Sequence, residues 1–149
     1  MVELREVAWD HSDSERLRGE QQAEIAIRYG TPDSEPGPKP SAGDITIFFV
    51  AYDDEQPVGC GGLRQLDDVH GEIKRMYVVP HRRGAGVSTA ILGHLEAEAQ
   101  RRGWERLVLE TGDEQPDAVR FYEREGYTSI PRFGYYVDSE LSLCYEKRF

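Results

Sequence analysis

The stretch RRGAGVSTAILGHLEAEA, Arg82 to Ala99, sets two arginines and two glycines directly ahead of an apolar-periodic run. Val87, Ile91 and Leu95 fall at i, i+4 and i+8, with Ala90 and Leu92 beside them. That spacing predicts an amphipathic helix to about Arg102, stopped by Gly103. The first turn of a helix leaves N–H groups unpaired and carries a positive partial charge. Glycines let backbone approach an anion, and arginines add charge-assisted hydrogen bonds. The chemistry implied at Arg83 to Ser88 is the holding of phosphate. Lys74, Arg75, Arg82 and Arg83 form a local basic cluster in a chain whose formal charge is −10.

Two common phosphate loops do not fit. A Walker A loop needs a lysine after its second glycine, and none follows here. A dinucleotide fingerprint needs G-x-G-x-x-G. Gly84-Ala85-Gly86 supplies two of the glycines, but Thr89 stands where the third belongs.

The surrounding elements must hold this loop in place. Val2 to Ala8 alternates as a first strand, and a helix capped by Asp13 or Ser14 runs to about Tyr29, where Gly30 stops it. Leu17, Ile25 and Ala26 give that helix only a partial apolar stripe. Residues 31–43 hold four of the eight prolines and read as an exposed loop, either a connector or a flap over a cleft. Asp44–Tyr52, Pro57–Leu66 and Gly71–Val79 follow as three strands of an antiparallel meander. Gly59, Gly61 and Gly62 in the second of them signal a bulge or a close approach. In the third, parity puts Ile73, Tyr77 and Val79 on one face and Glu72, Lys74, Met76 and Val78 on the other. After the glycine loop and its helix come a strand at Glu105–Glu110, a helix at Gln115–Glu125, and strands at Tyr127–Ile130 and Ser142–Glu146. The predicted order is β-α-β-β-β-α-β-α-β-β, a mixed sheet with helices on its faces in the α/β (α+β) class, as one domain over residues 1–149.

Composition narrows the function. An acidic chain of pI about 4.9 argues against nucleic acid as a partner. No apolar run approaches the ~20 residues of a membrane span, and the acidic start does not read as a signal peptide, so a cytoplasmic protein is expected. Cys60 and Cys144 are far apart, and the four histidines lack ligand spacing, so neither a disulfide framework nor a metal site is expected.

Arg83-Gly84-Ala85-Gly86-Val87-Ser88 resembles the R/Q-x-x-G-x-G/A motif of the GCN5-related N-acetyltransferase (GNAT) superfamily. Lys74 to Pro80 resembles that family's pre-loop strand, and Ala118 to Tyr127 its A-x-x-hydrophobic-Y-E-x-x-G-F/Y helix and turn. The likeness spans roughly residues 45 to 147, departing from the pattern at Ser88. It implies a twisted, mostly antiparallel sheet and acetyl-CoA as cosubstrate, without metal. Carried over, Arg83, Gly84, Ala85, Gly86, Val87 and Ser88 hold the pyrophosphate, and the backbone of Met76, Tyr77 and Val78 holds the pantetheine arm. Gln115 stands where the family often has an asparagine near the cofactor.

The resemblance further implies direct attack by an amine, with Tyr122 protonating the leaving thiolate. A phenol suits that role, and no cysteine nucleophile is needed. Glu72, eleven residues before Arg83, is the candidate base, with Glu110 or water as the alternatives. A backbone N–H of the pre-loop strand would hold the thioester oxygen. The acceptor pocket is expected from the first helix, the proline-rich loop and the last strands, including Tyr135 and Tyr136. The leading expectation is an N-acetyltransferase acting on a primary amine of a small molecule or protein. The alternative is an acyl-CoA-binding sensor without turnover. A homodimer is compatible with the family.

Overall fold

The computed structural model describes residues 2–31 and 34–149; Pro32 and Asp33 of the proline-rich loop lie outside the described residues. The elements are β1 (Glu3–Glu6), α1 (Ser12–Tyr29), β2 (Ile47–Asp53), β3 (Gln56–Gln65), β4 (His70–Val78), α2 (Val87–Arg101), β5 (Arg106–Gly112), α3 (Pro116–Arg124), β6 (Thr128–Ile130) and β7 (Ser142–Arg148). The expected order is the observed one, with boundaries moved by a few residues. α1 is capped by His11, whose Nδ1 accepts from the Asp13 amide at 3.0 Å, and not by Asp13 or Ser14. The Asp13 carboxylate instead accepts from the Tyr52 hydroxyl, while Ser14 donates to the Trp9 carbonyl.

One seven-stranded sheet runs β1-β2-β3-β4-β5-β7-β6. Every pairing is antiparallel except β4 with β5. That parallel pair is short, covering only His70–Glu72 of β4 against Arg106–Val108 of β5. Beyond Glu72 the two strands part, and the rest of β4 faces a gap in the middle of the sheet. A gap there needs no loss of core. β2 is buried from Ile47 to Tyr52, and α2 buries Val87, Ile91, Leu92, Leu95 and Ala99 against the meander. Each fully buried aliphatic side chain is worth about 1.5–3 kcal/mol.

The glycines of β3 permit this close packing. A Cβ on Gly61 would lie 2.6 Å from the Met76 sulfur and 2.9 Å from Ile91, and one on Gly59 2.9 Å from Ile91. The bulge sits opposite them, on β4. Cys60 pairs with Tyr77 and Gly62 with Lys74, so two residues of β3 span three of β4, and Arg75 takes φ +60°. Cross-strand partners share a face. Cys60 and Gly62 are two apart, so Lys74 and Tyr77 face the same side. The expected parity, which joined Ile73 to Tyr77, therefore breaks at the bulge. The Cys60 thiol donates to the Arg75 carbonyl at 3.4 Å and so helps hold that backbone.

Candidate active site

The gap between β4 and β5 opens a cleft of about 610 Å³. Its walls are α1 (Gln21, Glu24, Ile25, Arg28), β4 (Met76, Tyr77, Val78), the glycine loop and α3 (Ala118, Phe121, Tyr122). The amide of Val79 bonds the Val58 carbonyl on β3. Alternation along an antiparallel strand then turns the N–H and C=O groups of Val78 and Met76 away from β3, toward the gap. Their carbonyls meet side chains instead of a strand. Gln21 Nε2 donates to the Met76 carbonyl at 2.9 Å, and Arg83 Nε to the Val78 carbonyl at 2.9 Å. The amides of Met76 and Val78 face the same gap, as an unpaired strand edge does when it takes up an extended ligand.

At one end of the cleft, α2 begins. Gly86 is its N-cap, at φ +86°, and no side chain caps the helix. Gly84 has φ +80°, and a Cβ at either glycine would meet nothing within 4 Å. The glycines are thus required by the left-handed backbone, which turns successive amides inward, rather than by crowding. Arg82 and Arg83 line the cleft with their guanidinium groups already paired to carboxylates. Arg82 pairs with Asp53, and Arg83 makes a two-pronged pair with Glu24 at 2.8 and 2.9 Å. That pair holds the Glu24 carboxyl below the usual carboxylate range. The cleft still carries four arginines (Arg28, Arg82, Arg83, Arg124) against Glu24 and Asp117, a positive interior in an acidic chain.

At the other end a smaller chamber of about 110 Å³ branches off, sharing Gln21, Ile25, Met76, Gln115, Ala118 and Tyr122 with the cleft. Tyr122 stands at this junction, only 6% exposed, its ring edge-on to Phe121 and Tyr127. Desolvation pushes its phenol well above the usual value. Its hydroxyl has no hydrogen-bond partner among the described residues. The chamber also contains Glu110, whose carboxyl is pushed up chiefly by burial and accepts from Ser142 Oγ at 2.6 Å.

The other expected site residues divide clearly. Gln115 lies at the junction as the N-cap of α3. Ser88 and Val87 line the cleft, whereas Ala85 does not. Glu72 lines neither cavity. It is fully buried, with Oε1 accepting from Arg64 at 2.6 Å and Oε2 from Tyr136 Oη at 2.7 Å. Tyr136 is buried and also accepts from Lys74 Nζ at 2.9 Å, while Tyr135 is 62% exposed. Cys60 is fully buried and its thiol is pushed up to about 12 by desolvation, so it carries no thiolate. Gln21, Glu24, Arg28 and Arg124 were not anticipated. The one sign of the first three was the thin apolar stripe of α1, part of whose inner face meets the cleft.

The fold and the cleft define an acyl-CoA-dependent acyltransferase. Residues 5–127 match the acetyltransferase (GNAT) family, and the chain belongs to it. Acetyl-CoA-dependent N-acetyl transfer is its activity class. The chain is 36% identical over 108 residues to the uncharacterized N-acetyltransferase YsnE of Bacillus subtilis, covering 71% of this chain and 72% of that one. A solved Klebsiella pneumoniae protein superposes with a TM-score of 0.84 at 27% identity, over 99% of this chain and 97% of that one. PaiA N-acetyltransferase of Thermoplasma acidophilum, solved in complex with coenzyme A, shares the fold at a TM-score of 0.74 and 17% identity, over 100% and 99% of the two chains.

Proposed function

We propose that this chain acetylates the primary amine of a small molecule by direct attack, with Tyr122 as proton donor and Glu110 as proton acceptor. The observation that carries the reading is the junction itself: a long cleft with an uncapped helix start at one end meets a small chamber at an unpartnered, buried phenol. The cleft suits acetyl-CoA. Loop amides from Gly84 to Ser88 would take the pyrophosphate, with Arg83 beside it, and the amides of Met76 and Val78 would take the pantetheine arm. When bound there, acetyl-CoA supplies an activated acetyl thioester.

The chain's own groups do the rest. A β4 amide beyond the bulge donates to the carbonyl oxygen as charge develops on it. Glu110, as carboxylate, removes a proton from the incoming ammonium or amine nitrogen. Tyr122 Oη gives its proton to the departing sulfur. The buried thiol of Cys60 takes no part. An acidic composition with two unpaired, buried cysteines supports placing this work in the cytoplasm.

The test is release of free thiol from acetyl-CoA across a panel of amines, beside a calorimetric titration with coenzyme A. Amine-dependent release is expected. Binding without release on any amine would overturn the reading in favour of a sensor. The loop half of the argument has its own variant. Gly84→Ala with Gly86→Ala forces two alanines into left-handed backbone at about 1–2 kcal/mol each. Coenzyme A should then bind at least ten-fold more weakly by calorimetry, and the backbone strain alone should lower Tm by about 4–16 °C at about 2–4 °C per kcal/mol, since the added methyls meet nothing.

A further inference from the structure

The small chamber is specific about what it accepts. Its apolar walls are Ile25, Ile73, Leu109 and Leu141. Its charged groups are Glu35, Arg75 and Glu110, and two of these are spent on each other. Glu35 takes Lys74 at 2.9 Å on one oxygen and Arg75 at 3.2 Å on the other. Glu110 receives only the Ser142 hydroxyl, and among the described residues no cation pairs with it. Glu72, the other buried carboxylate nearby, has two cations beside it: Arg64 lies at 2.6 Å and Lys74 at 3.6 Å. Glu110 lacks such a partner, and burial pushes its carboxyl up accordingly. One open negative site remains, with no open positive one.

Size sets the second condition. A cavity of about 150 Å³ holds benzene, so 110 Å³ holds about four or five non-hydrogen atoms. One wall is tied to the sheet. Ser34 and Glu35 of the proline-rich segment line it, Glu35 is tied to β4, and the space above Gly37 is filled by the Tyr135 ring.

We infer that the acceptor is a compact primary monoamine with an uncharged apolar body of about three or four atoms, its nitrogen seated at Glu110. This rests on the transferase reading above and narrows it. A carboxylate or phosphonate on the acceptor would find no unspent cation and would face two carboxylates. A second ammonium would find the one other carboxylate of the chamber already doubly paired. A lysine side chain would bring its peptide up against the Ser34–Gly37 segment.

The experiment compares kcat/KM for thiol release across straight-chain amines from ethylamine to octylamine, with 1,4-diaminobutane, β-alanine and a lysine-containing peptide. The expected profile peaks at three or four carbons and falls roughly ten-fold or more by octylamine. Diaminobutane, β-alanine and the peptide should each lie at least ten-fold below butylamine. Leu141→Ala opens the chamber and should move the peak to longer amines. A profile flat in chain length, or a preference for the diamine, β-alanine or the peptide, would overturn the inference while leaving the transferase reading in place. No release with any amine, from protein that binds coenzyme A, would overturn both.

Discussion

Tyr122→Phe is expected to lower the single-turnover rate of acetyl transfer by about 10²–10³-fold, the usual contribution of a positioned proton donor. Coenzyme A affinity should stay within about two-fold. The argument is geometric before it is chemical. Tyr122 lines both cavities, and on the proposed reading that junction is where the thioester end of one ligand would meet the amine held in the other. The ring packs edge-on against Phe121 at 5.1 Å and Tyr127 at 5.6 Å, contacts that phenylalanine keeps. Only the oxygen is lost. Since that hydroxyl bonds nothing among the described residues, its removal strips no described interaction and Tm should hold or rise slightly. Desolvation raises the phenol, so it stays protonated throughout the working range and serves as a donor, not a base. Single turnover is the proper readout because product release can mask chemistry under steady state. An unchanged rate would remove Tyr122 from the reaction and leave it a packing residue.

Much of this arrangement is legible in the chain, for a physical reason. α2 and its loop are encoded locally: a period of four in Val87, Ile91 and Leu95, and two glycines that take positive φ. The buried meander is likewise written in runs of β-branched and aromatic residues, and Gly59 and Gly61 announced the close approach of α2. What stayed hidden depends on partners distant in sequence. Nothing in GEIKRMYVV marks Arg75 as a bulge, because the extra residue exists only relative to β3. Nothing near Glu72 in the sequence shows that Arg64 and Tyr136 occupy its two oxygens. Nothing in the loop's own sequence shows that the Arg83 guanidinium is paired with Glu24, 59 residues earlier. The proline-rich segment reads as an unattached loop until Glu35 is found pinned to Lys74 and Arg75. α1 is the instructive intermediate. Gln21, Glu24 and Arg28 made it look like a poor helix, and the same residues are polar because they face a ligand cleft.

The two glutamates should respond in opposite ways, and the contrast decides which is the base. Glu72→Ala leaves Arg64 and Lys74 without their shared, fully buried carboxylate and takes the acceptor from Tyr136. Breaking a buried pair costs about 3–5 kcal/mol. Asp44 and Glu35 still face these two cations, which favours the lower figure. At about 2–4 °C per kcal/mol for a chain of this size, Tm should fall by about 6–12 °C. Glu72→Gln keeps the shape and an oxygen for Tyr136, and its single-turnover rate at 20 °C should remain within about three-fold of the parent. Glu110→Gln should instead cost about 100-fold or more in rate. The parent's activity should rise with pH through the raised value of the Glu110 carboxyl, since only the carboxylate accepts a proton. That limb should vanish in the variant. Stability carries the reverse sign. Burial favours the neutral acid, so the charged form weakens the fold above the raised value and the neutral form does not below the ordinary one. Glu110→Gln should therefore melt higher than the parent at pH 8 and level with it at pH 4. A hundred-fold loss in Glu72→Gln, at parental Tm and coenzyme A affinity, would transfer the role of base to Glu72 and leave Glu110 a wall of the chamber.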